Sequence, residues 1–288
     1  MINIIKKFEH DNNVLIGVCD NSILNFKINK KTPFVSYTLA ERTNPLLAFD
    51  KTKSIIVMAT PYGKRLNFVP DNKKRAQISI SAAGQDYHTK SRALLEKLMA
   101  EINQKTNYKI FVDTGPLNER ALAKKAGLGF IGKNCSLITE KFGSFVFLGY
   151  ALIDIFITPT QPAISGSCGS CNLCIEACPT KALSNNGMDP YICASYLTQS
   201  KQEIPERLKK GMHYIYGCDI CQNACPKNNG KYISEINNID LVMPEFKFLK
   251  SLTGKQFKEI YGGTAMFWRG KKTIMRNVGI LEKNEDIH

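Results

Sequence analysis

The sequence predicts an α+β protein in three parts: a mixed α/β domain over residues 1–160, a cysteine module over 161–230, and a short, basic, mainly helical tail over 231–288. Three observations carry this. Strand-like and helix-like apolar patterns alternate through the first part. Eight of the ten cysteines fall between Cys168 and Cys225. Pro159, Pro162 and Gly166 mark a linker between the two.

The elements follow in order. "KSIIVMATPY" (53–62) is a β-branched run closed by Pro61, the pattern of a buried strand. "SRALLEKLMAEINQ" (91–104) places Leu94, Leu95, Leu98, Met99 and Ile102 at helical spacing. "YKIFVD" (108–113) is strand-like and "TGP" turns the chain. "LNERALAKKAG" reads as a helix with Pro116 near its first position and Gly127 at its end. "CSLIT" (135–139) and "SFVFLGYALI" (144–153), around the turn-like "EKFG", predict a hairpin.

Composition narrows the function classes. No run approaches the eighteen or more apolar residues of a membrane span, and "MINIIKKFEHDNN" lacks the apolar core of a signal peptide, so a cytoplasmic protein with no membrane partner is expected. Cytosolic thiols stay reduced, so the cysteines point to metal or redox chemistry rather than to a disulfide framework. The formal charge is +14. It suits a polyanionic partner, with solubility as the plain alternative.

Cys168, Cys171, Cys174 and Cys178 are spaced C-x2-C-x2-C-x3-C and followed by Pro179. In this bacterial ferredoxin pattern three thiolates hold one 4Fe-4S cluster and the fourth reaches a second. The second set is present as Cys218, Cys221 and Cys225-Pro226, with Cys193 upstream. Crossed ligation assigns Cys168, Cys171, Cys174 and Cys225 to one cluster, and Cys193, Cys218, Cys221 and Cys178 to the other. A pair of zinc sites fits less well, because zinc takes four ligands per ion from two separated knuckles. Two clusters make a wire, and the domain in front of it is the place for an electron acceptor.

"GLGFIG" (127–132) matches G-x-G-x-x-G, but it closes a helix and leads into a strand, the reverse of a dinucleotide fingerprint. Its glycines fit a tight turn or the close approach of a flat cofactor. Asp113 stands at the carboxyl end of a predicted strand, where side chains often face a ligand. Buried there, its proton affinity would rise, as a general acid requires; an ordinary turn or capping aspartate is the alternative. "DYHTKS" (86–91) nearly spells D-x-H-x-x-G, a cobalt-ligating signature, but Ser91 replaces the glycine and His88 is not assigned to metal. Cys19 and Cys135 read as small core residues.

"VDTGPLNERALAKKAGLGFIGKNCSLI", "FGSFVFLGYALID", "CGSCNLCIEACPTKAL", "CASYLTQ" and "GCDICQNACPKN", in this order, resemble the epoxyqueuosine reductases, from about residue 40 to 230. The resemblance implies a nitroreductase-like α/β domain that binds cobalamin, then a ferredoxin-like domain with two 4Fe-4S clusters. It implies reduction of epoxyqueuosine in the anticodon loop of tRNA, with electrons passing from a separate donor through the clusters to cobalamin held between the two domains. It makes Asp113 the proton donor and places Arg120, Lys133, Asn134 and Ser195 around the cobalamin or substrate pocket. A monomer is expected.

The chain departs from the family pattern at Cys135 and at Tyr150, where a glutamate is more usual, and it is expected to hold tRNA without the C-terminal helical repeats that help many members do so. "WRGKKTIMR" (268–276) is either a smaller substitute or a solvated basic helix. The rival readings are a cobalamin and iron–sulfur reductase of another substrate such as an organohalide, an electron-transfer protein, and a tRNA-binding protein with structural clusters.

Overall fold

The β-branched run at Ser54 forms β2 (Ser54–Pro61), buried at every residue. Ile56 and Met58 point to one face, and Ile55, Val57 and Ala59 to the other, as the two-residue period of a strand requires. A strand buried on both faces must lie inside a sheet and between layers. β1 (Leu15–Asp20) flanks it on one side and β4 (Val146–Ile153) on the other, with β3 (Tyr108–Val112) beyond β4. The order is β1-β2-β4-β3, every neighbour antiparallel.

The computed structural model describes residues 1–26, 32–66, 74–102, 105–160, 166–236 and 238–285. The chain divides into two units, residues 1–61 with 87–170 and residues 62–86 with 171–288. The division drawn from the sequence, at 160 and 230, is a different one. Residues 62–86 join the second unit because Ala76, Ile78 and Ala82 enter its core, and the tail joins it for the same reason. Pro162 lies outside the described residues.

In the first unit one face of the sheet is covered by α1 (Ile2–Asn12) and α2 (Tyr87–Ile102). Ile5 and Phe8 of α1 and Leu95, Leu98, Met99 and Ile102 of α2 pack on Ile56 and Met58. α2 begins four residues before the predicted helix, which brings Tyr87 and His88 into its first turn. The other face carries α3 (Glu119–Lys125) through Leu122 and Ala123. Its cap is Asn118, whose side chain accepts the Ala121 N–H, so Pro116 lies ahead of the helix rather than at its first position. At the other end Gly127 takes φ +79°. Its N–H donates to Lys124 and that of Leu128 to Ala123, the Schellman pairing that only a left-handed residue permits.

The hairpin predicted over 135–153 forms only in part. Thr139 and Gly143 close the "EKFG" turn as a single bridge, but Leu137–Ile138 pairs backwards with Phe130–Ile131 and β4 pairs with β2 and β3. Burial decides this, because β4 from Gly149 to Ile153 is wholly buried and fills the gap between two core strands.

The second unit is built on short helices. α4 (Leu173–Glu176), α5 (Ala194–Gln199) and α6 (Ile220–Asn223) lie among the cysteines. α7 (Phe246–Ser251), α8 (Gly254–Tyr261) and α9 (Gly270–Glu285) form the tail. Phe246, Leu249, Phe257, Ile274, Val278 and Leu281 of these tail helices share a core with Ile78, Leu197 and Ile215. Within "WRGKKTIMR", Ile274 is fully buried and the Arg276 guanidinium donates to the carbonyls of Leu197, Ser200 and Gln202. That part of the stretch is structural. Among the described residues no helix is long and apolar enough to cross a membrane.

Asn277, with no exposed surface, donates through Nδ2 to the carbonyls of Thr198 and Ile215, both at 2.7 Å. Asn277→Leu keeps the shape and leaves two buried acceptors unpaired, so it is expected to destabilise the fold by about 2–4 kcal/mol. Anaerobic calorimetry of the loaded protein checks this; a wild-type unfolding temperature would show that other donors replace Nδ2.

Candidate active site and thiolate clusters

β3 runs out at Asp113, whose φ of 59° lies in the left-handed region, uncommon for a residue with a Cβ. Hydrogen bonds fix the turn. The Thr114 N–H donates to the Val112 carbonyl at 2.7 Å, and the Asp113 N–H donates to Glu119 Oε1 at 2.6 Å. Gly115 follows at a point where a Cβ would stand 2.2 Å from the Tyr150 hydroxyl. That hydroxyl accepts the Leu117 N–H at 3.2 Å. Tyr150, the departure from the family pattern, is therefore buried and supports the turn from below.

The Asp113 side chain is 59% exposed. Its Oδ2 accepts from the Tyr87 hydroxyl at 2.7 Å and stands 3.5 Å from His88 Nε2. Tyr87 is itself clamped, stacked on Phe147 at 4.0 Å between centroids and on His88 at 4.1 Å. These contacts hold the Asp113 carboxyl below its ordinary value. The His88 hydrogen bond is the largest cause, burial opposes it, and Tyr87 adds to it. The raised proton affinity expected of Asp113 is thus not found here: hydrogen bonds to the charged form outweigh desolvation. The acid that is raised is Glu119, pushed up to about 8 by burial first and by the Asp113 charge second.

Arg120, one residue along α3, donates through Nη1 to the Cys135 carbonyl at 2.6 Å. This ties α3 to the "GKNC" turn between the short strands Phe130–Ile131 and Leu137–Ile138. Cys135 takes φ +61° there, so its place is in a turn and not in the core. Gly129 lets the strand behind it approach, since a Cβ would meet the Ile138 carbonyl at 2.2 Å. The glycines of "GLGFIG" thus serve a turn and a close backbone contact. Asn134 is 6% exposed, its Oδ1 accepts the Ser136 N–H at 3.2 Å, and its Nδ2 has no hydrogen-bond partner. An orphaned buried donor at this turn fits an acceptor-rich ligand such as the amide-fringed corrin of cobalamin. The Lys133 N–H donates to Cys168 Sγ at 3.4 Å.

The first unit thus brings Asp113, Arg120, Lys133 and Asn134 into linked turns. Ser195 belongs to the second unit, on α5, where its carbonyl accepts from Gln199 Nε2 and Thr198 Oγ1, both at 2.9 Å. Also in the second unit, Cys174 and Cys178 join Ala182 and Leu183 in a small apolar cluster, with Cys193 and Cys221 packed against it. The Ala182 N–H donates to Cys178 Sγ at 3.3 Å. Burial pushes the Cys218 thiol up to about 12, with Cys193 and Cys178 among the neighbours that add to it. Cys221 is raised by burial and then by Cys218, Cys193, Cys178 and Cys174. Buried thiols that raise one another's proton affinity are the donor type an iron–sulfur cluster takes, although among the described residues no three such side chains stand close enough to hold a single metal ion. Beside them Asp219 is buried, its Oδ1 accepting from Ser79 Oγ at 2.5 Å and its Oδ2 from the Ile80 N–H at 2.7 Å.

Sequence reasoning missed Tyr87, His88 and Glu119 as members of the Asp113 site. The near-signature "DYHTKS" was a signal for the first two, and the acid six residues beyond Asp113 was one for the third.

Comparison with known proteins agrees with this architecture. Residues 42–114 match the family model described as epoxyqueuosine reductase QueG, DUF1730, and residues 167–228 match a 4Fe-4S double cluster binding domain. An epoxyqueuosine reductase of Listeria monocytogenes is 42% identical over 262 residues, 87% of this chain and 69% of the relative. An epoxyqueuosine reductase crystallised with an epoxyqueuosine-modified tRNA-Tyr stem loop superposes with a TM-score of 0.90 at 31% identity, covering 98% of this chain and 80% of the other. One from Bacillus subtilis, with its catalytic aspartate loop swung out of the active site, gives a TM-score of 0.88 at 29% identity, covering 98% and 81%.

Tyr87→Phe removes one donor from the Asp113 carboxylate, so its pKa is expected to rise toward the ordinary value of about 3.9. A carbon-13 NMR titration of the carboxyl reads this directly; an unmoved titration would remove Tyr87 from the site.

Proposed function

The chain belongs to the epoxyqueuosine reductase family, and from that we propose that it reduces epoxyqueuosine to queuosine at the wobble position of tRNA, with Asp113 as the proton donor. The observation that carries the reading is that one chain joins a double 4Fe-4S cluster domain at 167–228 to a carboxylate held on a strained turn by Tyr87 and His88.

Members of this family depend on cobalamin, and the reading gives Asn134, Arg120, Lys133 and Ser195 to its binding. Cys168, Cys171, Cys174 and Cys225 are proposed to hold one cluster, and Cys178, Cys193, Cys218 and Cys221 the other. What supports the second set is that Cys193 and Cys178 stand near enough to Cys218 and Cys221 to raise both thiols' proton affinity; Cys174, of the first set, acts on Cys221 as well. The fold proposed for the first unit is nitroreductase-like, and that for the cluster region ferredoxin-like.

The reaction takes two electrons and two protons; the epoxide oxygen leaves as water and an alkene forms. Bound cobalamin would supply a strongly reducing cobalt centre next to the substrate. The protein's own part is the proton. Asp113 is ionised at neutral pH while its carboxylate is open to water, and a bound substrate that excludes water raises its proton affinity. His88 Nε2, 3.5 Å from Asp113 Oδ2, is placed to hand a proton to that oxygen, and Asp113 to pass it to the departing one. Tyr87 keeps the carboxylate oriented. The net charge of +14 before clusters are counted favours a polyanion such as tRNA. The electron donor is a separate reductant, and the chain acts as a monomer.

The test is an anaerobic assay of cluster- and cobalamin-loaded protein with epoxyqueuosine tRNA and a strong reductant, read by nucleoside mass spectrometry. Loss of one oxygen only when cobalamin is present supports the reading; no conversion by fully loaded protein sinks it. Asp113→Asn is expected to bind cobalamin normally and to lose activity by about 10²-fold or more; normal turnover would remove Asp113 from the chemistry. Cys178→Ala is expected to lower bound iron from about eight to about four atoms per chain, read by metal analysis and by loss of one electron paramagnetic resonance signal.

A further inference from the structure

The Asp113 turn is tied down at two places by different chemistry. Its carboxylate is held from α2 by Tyr87 and His88. Its backbone is held by the Asp113 N–H on Glu119 Oε1 at 2.6 Å, and more loosely by the Tyr37 hydroxyl, which donates to the Thr114 carbonyl at 3.2 Å. A left-handed φ in a residue with a Cβ is strained and persists only where its surroundings hold it.

Glu119 is well placed to do that holding. It opens α3, directly after the Asn118 cap, and α3 is anchored by the fully buried Leu122 and Ala123. Its carboxyl therefore stands on a rigid element while the turn it grips has no core side chain between Val112 and Leu117. The groups facing it are the Asp113 carboxylate from the turn, Arg120 from its own helix, His88 from α2 and the Tyr150 phenol from β4. Turns of this kind have a second position in at least one relative, the Bacillus subtilis enzyme with its catalytic aspartate loop swung out.

We propose that Glu119 is the latch of the Asp113 turn: a positioning residue whose carboxyl, by accepting the Asp113 N–H, keeps the turn closed while it is protonated and lets it open when it ionises. The proposal rests on the reading of Asp113 as the proton donor.

Two opposing effects decide the direction. An ionised carboxylate accepts an N–H more strongly, which favours closure. Burial and the nearby Asp113 charge oppose ionisation, and they win, since the Glu119 pKa in the closed turn is raised from 4.5 to about 8. An open turn would return Glu119 to water and to its ordinary value. Between those two values the closed turn binds a proton that the open turn does not, so closure weakens as pH rises through that window. Asp113 is thus presented most firmly on the acid side, where a proton donor is most useful.

Amide hydrogen exchange over residues 108–118 of the loaded full-length protein, corrected for the intrinsic pH dependence of exchange, tests this without turnover. In the wild type the turn is expected to exchange on the order of 10²-fold faster at pH 8.5 than at pH 6. Glu119→Gln retains an acceptor that cannot ionise and is expected to show equal protection at both pH values. Glu119→Ala is expected to exchange about tenfold faster than wild type at pH 6. A Glu119→Gln protein that keeps the wild-type pH response, or a folded Glu119→Ala protein protected as well as wild type, overturns the latch. If Glu119→Ala does not fold, Glu119→Gln alone decides. Normal turnover by Asp113→Asn would instead overturn the reading of Asp113 and leave the exchange result standing on its own.

Discussion

Every residue of β2 is buried, and most of the first unit follows from that constraint. A strand buried on both faces needs hydrogen-bonding neighbours on both edges and apolar cover above and below. β1 and β4 supply the edges, α1 and α2 one cover, and α3 the other. β3 then has a single free place, against β4, and its end is where Asp113 emerges. The helices that cover the two faces bring the partners: α2 carries Tyr87 and His88, and α3 carries Glu119 and Arg120. The site is thus assembled by the two layers meeting at one end of the sheet.

At that end the two carboxyls share a turn and have opposite proton affinities. Asp113 is open to water and its Oδ2 is held by Tyr87 and His88, so the charged form is favoured. Glu119 is withdrawn and beside a negative charge, so the neutral form is favoured. Environments that push two acids apart let one be held as the anion while the other keeps its proton, a division of labour recurrent in acid–base sites. Burial alone would have raised both. The hydrogen-bond inventory of Asp113 separates them.

In the second unit polar interactions do what a larger core would otherwise do. The short helices among the cysteines bury little on their own. The tail packs on α5, with Asn277 and Arg276 closing off backbone carbonyls of Leu197, Thr198, Ser200, Gln202 and Ile215. Asp219, next to Cys218, ties the segment at Ser79 and Ile80 to the same cysteine region. Loss of the tail would therefore expose α5, which follows Cys193 directly, and the core it shares with Ile78 and Ile215.

The cysteine spacing, the buried run at Ser54, the helix over Leu94–Ile102 and the strand ending at Asp113 were all legible in the chain, because each is a local pattern with one physical meaning. The turn role of "GLGFIG" was legible too, since a dinucleotide site needs the opposite order of strand and helix. What only the tertiary structure decided is what long-range packing decides. β4 left its expected hairpin because it pairs with the buried β2 on one side and the edge strand β3 on the other, and residues 62–86 joined the second unit because their apolar side chains complete its core. The charge state at the site belongs to the same class. Nothing in "VDTGP" indicates that Tyr87 and His88, more than twenty residues upstream, will hold Asp113 ionised, or that Glu119 will be the acid whose ionisation burial opposes. A pKa is set by neighbours in space, and the sequence lists neighbours only along the chain.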